Sequence, residues 1–200
     1  MQKVIVPLVI GIAVIFFLCT CHNGYQKHAE EKENSTENQS FFPVTEFILG
    51  QLNATDSLPI TPVKISIIGN NQDSAWLKKE DIRKFASPFL QPVIDSISMQ
   101  KYFTEKSFMD QTINAITFSF DAKVKLPDSI KLNHWDVYID PQKNTVQRIY
   151  LVKGEVINGA SVITQLTWKT DKWCSIRTIT QQPGKDPLVK EEIMKWNFDE

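Results

Sequence analysis

His134, Asp136, Tyr138 and Asp140 occupy every second position of "HWDVYID". Side chains alternate across a strand, so this spacing puts an imidazole, two carboxyls and a phenol on one strand face. An imidazole beside a carboxylate can work as an acid/base pair, and His134 with Asp136 supports one reading of the chain, a membrane-tethered hydrolase. A metal site would need further ligands to converge, because carboxylates at period two lack metal-ligand spacing. The simpler reading is the polar side of a strand whose other side is Trp135, Val137 and Ile139.

Cys174 is the other chemically active side chain. Its surroundings, "DKWCSIR", lack the flanks expected of cysteine proteases, so it is expected to serve as a small apolar residue on a strand. There is no GxSxG, HExxH, Walker A loop or GxGxxG, and seven glycines leave little material for a phosphate cradle. The expectation is therefore a non-catalytic domain without cofactor or metal.

Aromatic rings offer a second chemistry. Trp76, Trp135, Trp168, Trp173 and Trp196 all fall on or beside strand patterns, where exposed rings can bind sugars or apolar ligands. Trp135 and Trp168 share faces with aliphatic residues and belong in a core. Trp173, beside a turn, is expected to be the exposed ring, and it joins His134 and Tyr138 as a candidate ligand contact.

The cysteines near the beginning carry a different message. Val4 to Leu18 is an apolar run after a single positive charge at Lys3. It is short of the roughly 20 residues that span a bilayer, but fits the apolar region of an export signal. The run ends Leu18-Cys19-Thr20-Cys21, which resembles the lipobox of bacterial lipoproteins. That resemblance implies cleavage after Thr20 and diacylglyceryl modification of the Cys21 thiolate. Each buried methylene contributes about 0.8 kcal/mol, so two or three acyl chains would hold the protein at a membrane, with the outer membrane of a bacterial envelope favoured.

Residues 22–40 read HNGYQKHAEEKENSTENQS, too polar to repay the cost of ordering. With Cys21 and residue 41 they form a flexible tether with a typical span of about 25 Å. A net charge of −1 and the lack of a basic stripe argue against nucleic acid as a partner. Asp-Ser followed by an apolar residue occurs at Asp56-Ser57-Leu58, Asp73-Ser74-Ala75, Asp95-Ser96-Ile97 and Asp128-Ser129-Ile130. It is similar to the O-glycosylation sequon of Bacteroidota envelope proteins, and is also ordinary turn chemistry.

The elements that must position these residues begin at residue 42. Val44, Phe47, Ile48 and Leu52 predict a helix over 43–53, and Ile82, Phe85, Ala86 and Phe89 a second over "KKEDIRKFASPFL". Val63, Ile65 and Ile67 predict a strand that turns at Gly69-Asn70-Asn71. The stretch 95–110 reads as irregular. Strand patterns then recur, and Asn158-Gly159 is the clearest hairpin signal. The expected architecture for 42–200 is one α+β domain, two N-terminal helices packed on a twisted antiparallel meander of five to seven strands. The expected function is an envelope lipoprotein that binds a partner protein, an apolar ligand or a glycan.

Overall fold

The structure, a computed structural model, describes residues 41–94 and 96–198. The expected leader, Cys21 and nearly all of the tether lie outside the described residues.

Helix α1 (Val44–Ser57) is followed by strands β1 (Val63–Ile68) and β2 (Asn71–Trp76). Helix α2 (Lys79–Ala86) then runs into a 3-10 turn at Ser87–Leu90, with a short α3 (Ser96–Gln100) after it. Seven more strands follow among the described residues: β3 (Phe103–Asp110), β4 (Ala115–Ala122), β5 (Leu132–Asp140), β6 (Thr145–Ile157), β7 (Ala160–Lys169), β8 (Trp173–Gln181) and β9 (Leu188–Lys195). All nine form one antiparallel sheet in the order β2-β1-β9-β8-β7-β6-β5-β4-β3.

This corrects the architecture expected from the sequence, two N-terminal helices on five to seven strands. The sheet has nine strands, and the β1–β2 hairpin separates α1 from α2. Two physical causes account for the difference. In β3, "FTEKSFMD" mixes apolar and polar residues on both faces, as an edge strand can, so the period-two signal fails there. The hairpin joins the meander only because β1 pairs with β9 at the far end of the described chain, which no local pattern encodes.

Turn chemistry sets the strand registers. Asn158 and Gly159 both have positive φ, 50° and 79°, and Ile157 stands opposite Ala160, as a type I′ hairpin requires. Asn114, Asn144 and Asp171 take left-handed φ values at three further turns, a conformation that short polar side chains tolerate.

One sheet face collects the apolar rows. Phe120, Trp135, Leu151, Leu166 and Ile176 form one cross-strand row, and Phe118, Val137, Ile149, Trp168, Cys174 and Met194 the next. Val44, Ile48 and Leu52, spaced by one helical turn, bury the α1 stripe in the same core, and Ile82, Ala86 and Phe89 add α2 and the 3-10 turn. We call this the inner face. The Trp135 ring stacks on Phe120 with centroids 4.5 Å apart and planes 7° apart, while Phe103 meets it edge-on at 4.6 Å. Trp168 lies 5.3 Å from both Phe89 and Trp196.

Polar clips fasten the helices at their margins. Arg83 donates to Asp56 Oδ2 and to Asn53 Oδ1, which ties α2 to α1. Gln51 Oε1 accepts from the Asp171 backbone N–H at 2.9 Å and ties α1 to the β7–β8 turn. The Lys153 ammonium donates to the carbonyls of Pro88 and Gln91, and its burial lowers its pKa to about 8.

Replacing Phe120 by Ala removes the stacking partner of Trp135 from a filled core. The expected loss is ~3–5 kcal/mol of unfolding free energy in urea titration. Trp76, 70% exposed, is the matched control. Its replacement by Ala should stay within about 0.5 kcal/mol.

Candidate functional site

On the outer face, the β4–β5 register decides what surrounds His134. Asp121 stands opposite His134 and Ser119 opposite Asp136. His134 Nδ1 lies 2.8 Å from Asp121 Oδ1, and Nε2 lies 3.0 Å from Asp136 Oδ1. With a carboxylate on each nitrogen, the ring donates on both sides, as an imidazolium does. The hydrogen bond to Asp136 raises the His134 pKa against the opposing effect of burial, and Asp121 adds to it.

Asp136 is only 9% exposed. Burial works against its charge, yet hydrogen bonds from His134, Ser119 and Tyr138 bring its pKa below the ordinary carboxyl value. Asp121 is lowered by its hydrogen bonds with His134 and Lys106. Tyr138 Oη donates to Asp136 Oδ2 at 3.0 Å. Burial, and then the charge of Asp136, pushes that phenol up to about 12. The Arg148 guanidinium sits 4.1 Å from the Tyr138 ring centroid.

This is a closed polar ladder. The imidazolium has no free nitrogen with which to take a proton or bind a metal, so either act would first break an ion pair. His134 and Asp136 are thus joined as the sequence suggested, while Asp121, the residue that completes the ladder, was not singled out. Its position on β4 opposite His134 became a signal only once the register was known.

Tyr138, Arg148, Lys169 and Trp173 form one cross-strand row. Three strand spacings separate Tyr138 from Trp173, about 14 Å. They share a face without meeting. Trp173 is half-buried, with Lys169 and Lys195 directly opposite it on either side. Trp76, at the end of edge strand β2, is the exposed ring instead. Between Tyr138 and Thr167 the outer face carries a shallow depression of about 260 Å³, which Arg148 and Tyr150 complete.

Two clefts among the described residues lie on the inner face, and sequence patterns revealed neither. One, of about 420 Å³, lies between α2 and strands β1, β8 and β9, lined by Lys64, Leu77, Lys84, Phe85, Ile176 and Glu192 among others. Its Glu192 is matched within the fold, pairing with Lys64 at 2.6 Å and with Lys190 at 2.8 Å. The other, of about 290 Å³, is walled by Phe41, Phe42, Pro43, Phe118, Phe120 and Ile139, and contains the half-buried carboxylate of Glu105. Burial raises the Glu105 pKa. Glu105 escaped notice because β3 did not read as a strand, so its side of the sheet was undefined.

Cys174 is fully buried on the inner face, and desolvation holds its thiol well above the ordinary pKa, which disfavours the nucleophilic thiolate. Ser57, Ser74 and Ser129 of the Asp-Ser motifs are exposed. Asp95 and the Ser96 side chain lie outside the description. Among the described residues no helix is long and apolar enough to cross a membrane. The chain matches no protein-family model, no curated protein and no solved structure.

The ladder makes stability depend on pH with a definite sign. His134 has a raised folded pKa, so its contribution is complete below its ordinary value of 6.5 and disappears as pH rises through the raised value. Asp121 and Asp136 have lowered pKa values, so theirs is complete above 3.8 and disappears as pH falls through the lowered values. The stability difference between wild type and His134→Ala should be greatest between those limits, ~1–3 kcal/mol by urea unfolding near pH 6. It should shrink at higher pH. A difference that stays constant to pH 9 would show that the imidazolium form contributes nothing.

Proposed function

We propose that the chain is an acyl-anchored envelope lipoprotein whose sheet domain binds a small amphipathic ligand on its inner face. One observation carries this reading: the helices leave an aromatic-walled cleft of about 290 Å³ with a single carboxylate in it. Ligand sites are concave, mostly apolar and furnished with few polar groups, at volumes from about 300 Å³ upward. The cleft lies at the lower edge of that range. Phe41, the last residue of the expected tether, forms part of its wall together with Phe42 and Pro43, which follow directly on it. A tether of about 25 Å from an acylated Cys21 would keep such a cleft close to a bilayer, where apolar compounds concentrate.

The closed state of His134 favours binding over hydrolysis. Its two nitrogens and the buried Asp136 are committed to each other, to Asp121 and to Tyr138. A hydrolase would have to dismantle that ladder in each catalytic cycle.

Two measurements test the proposal. Metabolic labelling with a palmitate analogue should mark the wild type and leave Cys21→Ser unlabelled, whereas label retained in the variant would transfer the anchor to Cys19. Fluorescence titration with N-phenyl-1-naphthylamine, a neutral apolar probe, should give saturable uptake by the wild type. Ile139→Trp, which fills part of the cleft with a larger side chain, should weaken that uptake at least about tenfold, the equivalent of 1.4 kcal/mol. Uptake that never saturates, or that ignores Ile139→Trp, would remove the cleft from the proposal.

A further inference from the structure

We propose that the cleft between β3, β4 and the Phe41–Pro43 segment receives an organic ammonium group, with the Glu105 carboxylate as counter-ion inside a wall of phenylalanine rings. This deepens the ligand-binding reading and rests on it.

Backbone register builds the arrangement. Glu105 on β3 stands directly opposite Phe120 on β4, and Phe118 lies two residues along the same face. The Phe41 ring closes against Phe120 at 4.9 Å, edge to face, and Phe42 and Ile139 complete the surround. Among the described residues Glu105 makes no hydrogen bond or ion pair. Its chain neighbour Lys106 points its ammonium to Asp121 on the opposite face of the sheet. The carboxylates of Asp121, Asp136 and Glu192, by contrast, each pair with a cation.

A half-buried carboxylate without a partner is unfavourable, and its pKa is raised by desolvation. An incoming cation removes that penalty. An aromatic face attracts a cation through the ring quadrupole, and Phe42 and Phe118, the partly exposed rings of the wall, are the ones able to offer it. An anion would be repelled by Glu105. A neutral amphiphile would fill the volume and leave the carboxylate unmatched. The larger cleft shows the contrast, because its Glu192 is already neutralised by Lys64 and Lys190.

Two sources present an ammonium on an apolar stem: the headgroup of an ethanolamine or choline phospholipid, and a free alkylamine. Both meet the same carboxylate and rings.

The test uses the full acylated chain in nanodiscs of phosphatidylglycerol, titrated with hexyltrimethylammonium and followed by tryptophan fluorescence. Trp135 packs against Phe41 and Phe120 and so reports on the wall. Saturable binding is expected, with 1-hexanol, the uncharged comparison, at least about tenfold weaker. Glu105→Gln should lose about the same factor for the cation and little for the alcohol. Because the cation–alcohol comparison is made on the wild type, it stands even if the variant folds poorly. Equal affinity for cation and alcohol, or a Glu105→Gln variant with wild-type cation affinity, overturns the ammonium assignment and leaves an apolar site. Uptake of neither compound overturns both this inference and the ligand-binding reading. Adding phosphatidylethanolamine to the nanodisc separates the sources: competition with hexyltrimethylammonium assigns the site to headgroups, and undiminished binding of the cation assigns it to free amines.

Discussion

The pairing of β1 with β9 governs this structure. Six residue pairs, from Val63–Lys195 to Ile68–Lys190, join an early hairpin to the last strand of the meander. Without that seam the sheet would end at β9 and the hairpin would have no neighbour. The helices on either side of the hairpin, α1 before it and α2 after it, are carried to the inner face along with it. Closing so long a loop is entropically costly before the contacts it enables can form. The compensation lies in the core: Met194 and Trp196 are buried beside Cys174 and Trp168, under a cover that includes Phe89.

The two faces of the sheet treat polar groups in opposite ways. On the outer face, an imidazolium, two carboxylates, a phenol and an ammonium satisfy one another, and the cost of burying Asp136 is offset by three donors. Such a network orders a surface and leaves little capacity for chemistry. On the inner face, Glu105 is left with a volume in front of it and no donor among the described residues. An unmatched carboxylate beside an open volume is where a ligand has most to contribute, which is why we propose binding at the cleft rather than at His134.

Particular residues show how far the sequence could be read. The Asn158-Gly159 hairpin was legible because only a few residue types accept positive φ at both central positions, and the demand is purely local. The amphipathic spacing of Val44, Ile48 and Leu52 was legible for the same kind of reason, since one helical turn repeats every 3.6 residues. Strand β3 was not, because an edge strand need not alternate. The partnership of His134 with Asp136 could be suspected from spacing within one strand. Asp121 could not, because its place beside His134 depends on the β4–β5 register, with the 123–131 connection between the strands.

What the sequence determined by itself, then, was the set of local periodicities and turn conformations, and the chemical character of the segment that ends at Cys21. Each depends on interactions within a few residues. Tertiary structure alone decided that the sheet has nine strands, that the hairpin docks on β9, that both nitrogens of His134 are occupied and that Glu105 faces an aromatic cleft. Those outcomes depend on which distant strands pair and in what register, and a one-residue shift in register would exchange the inner and outer faces of the strand concerned.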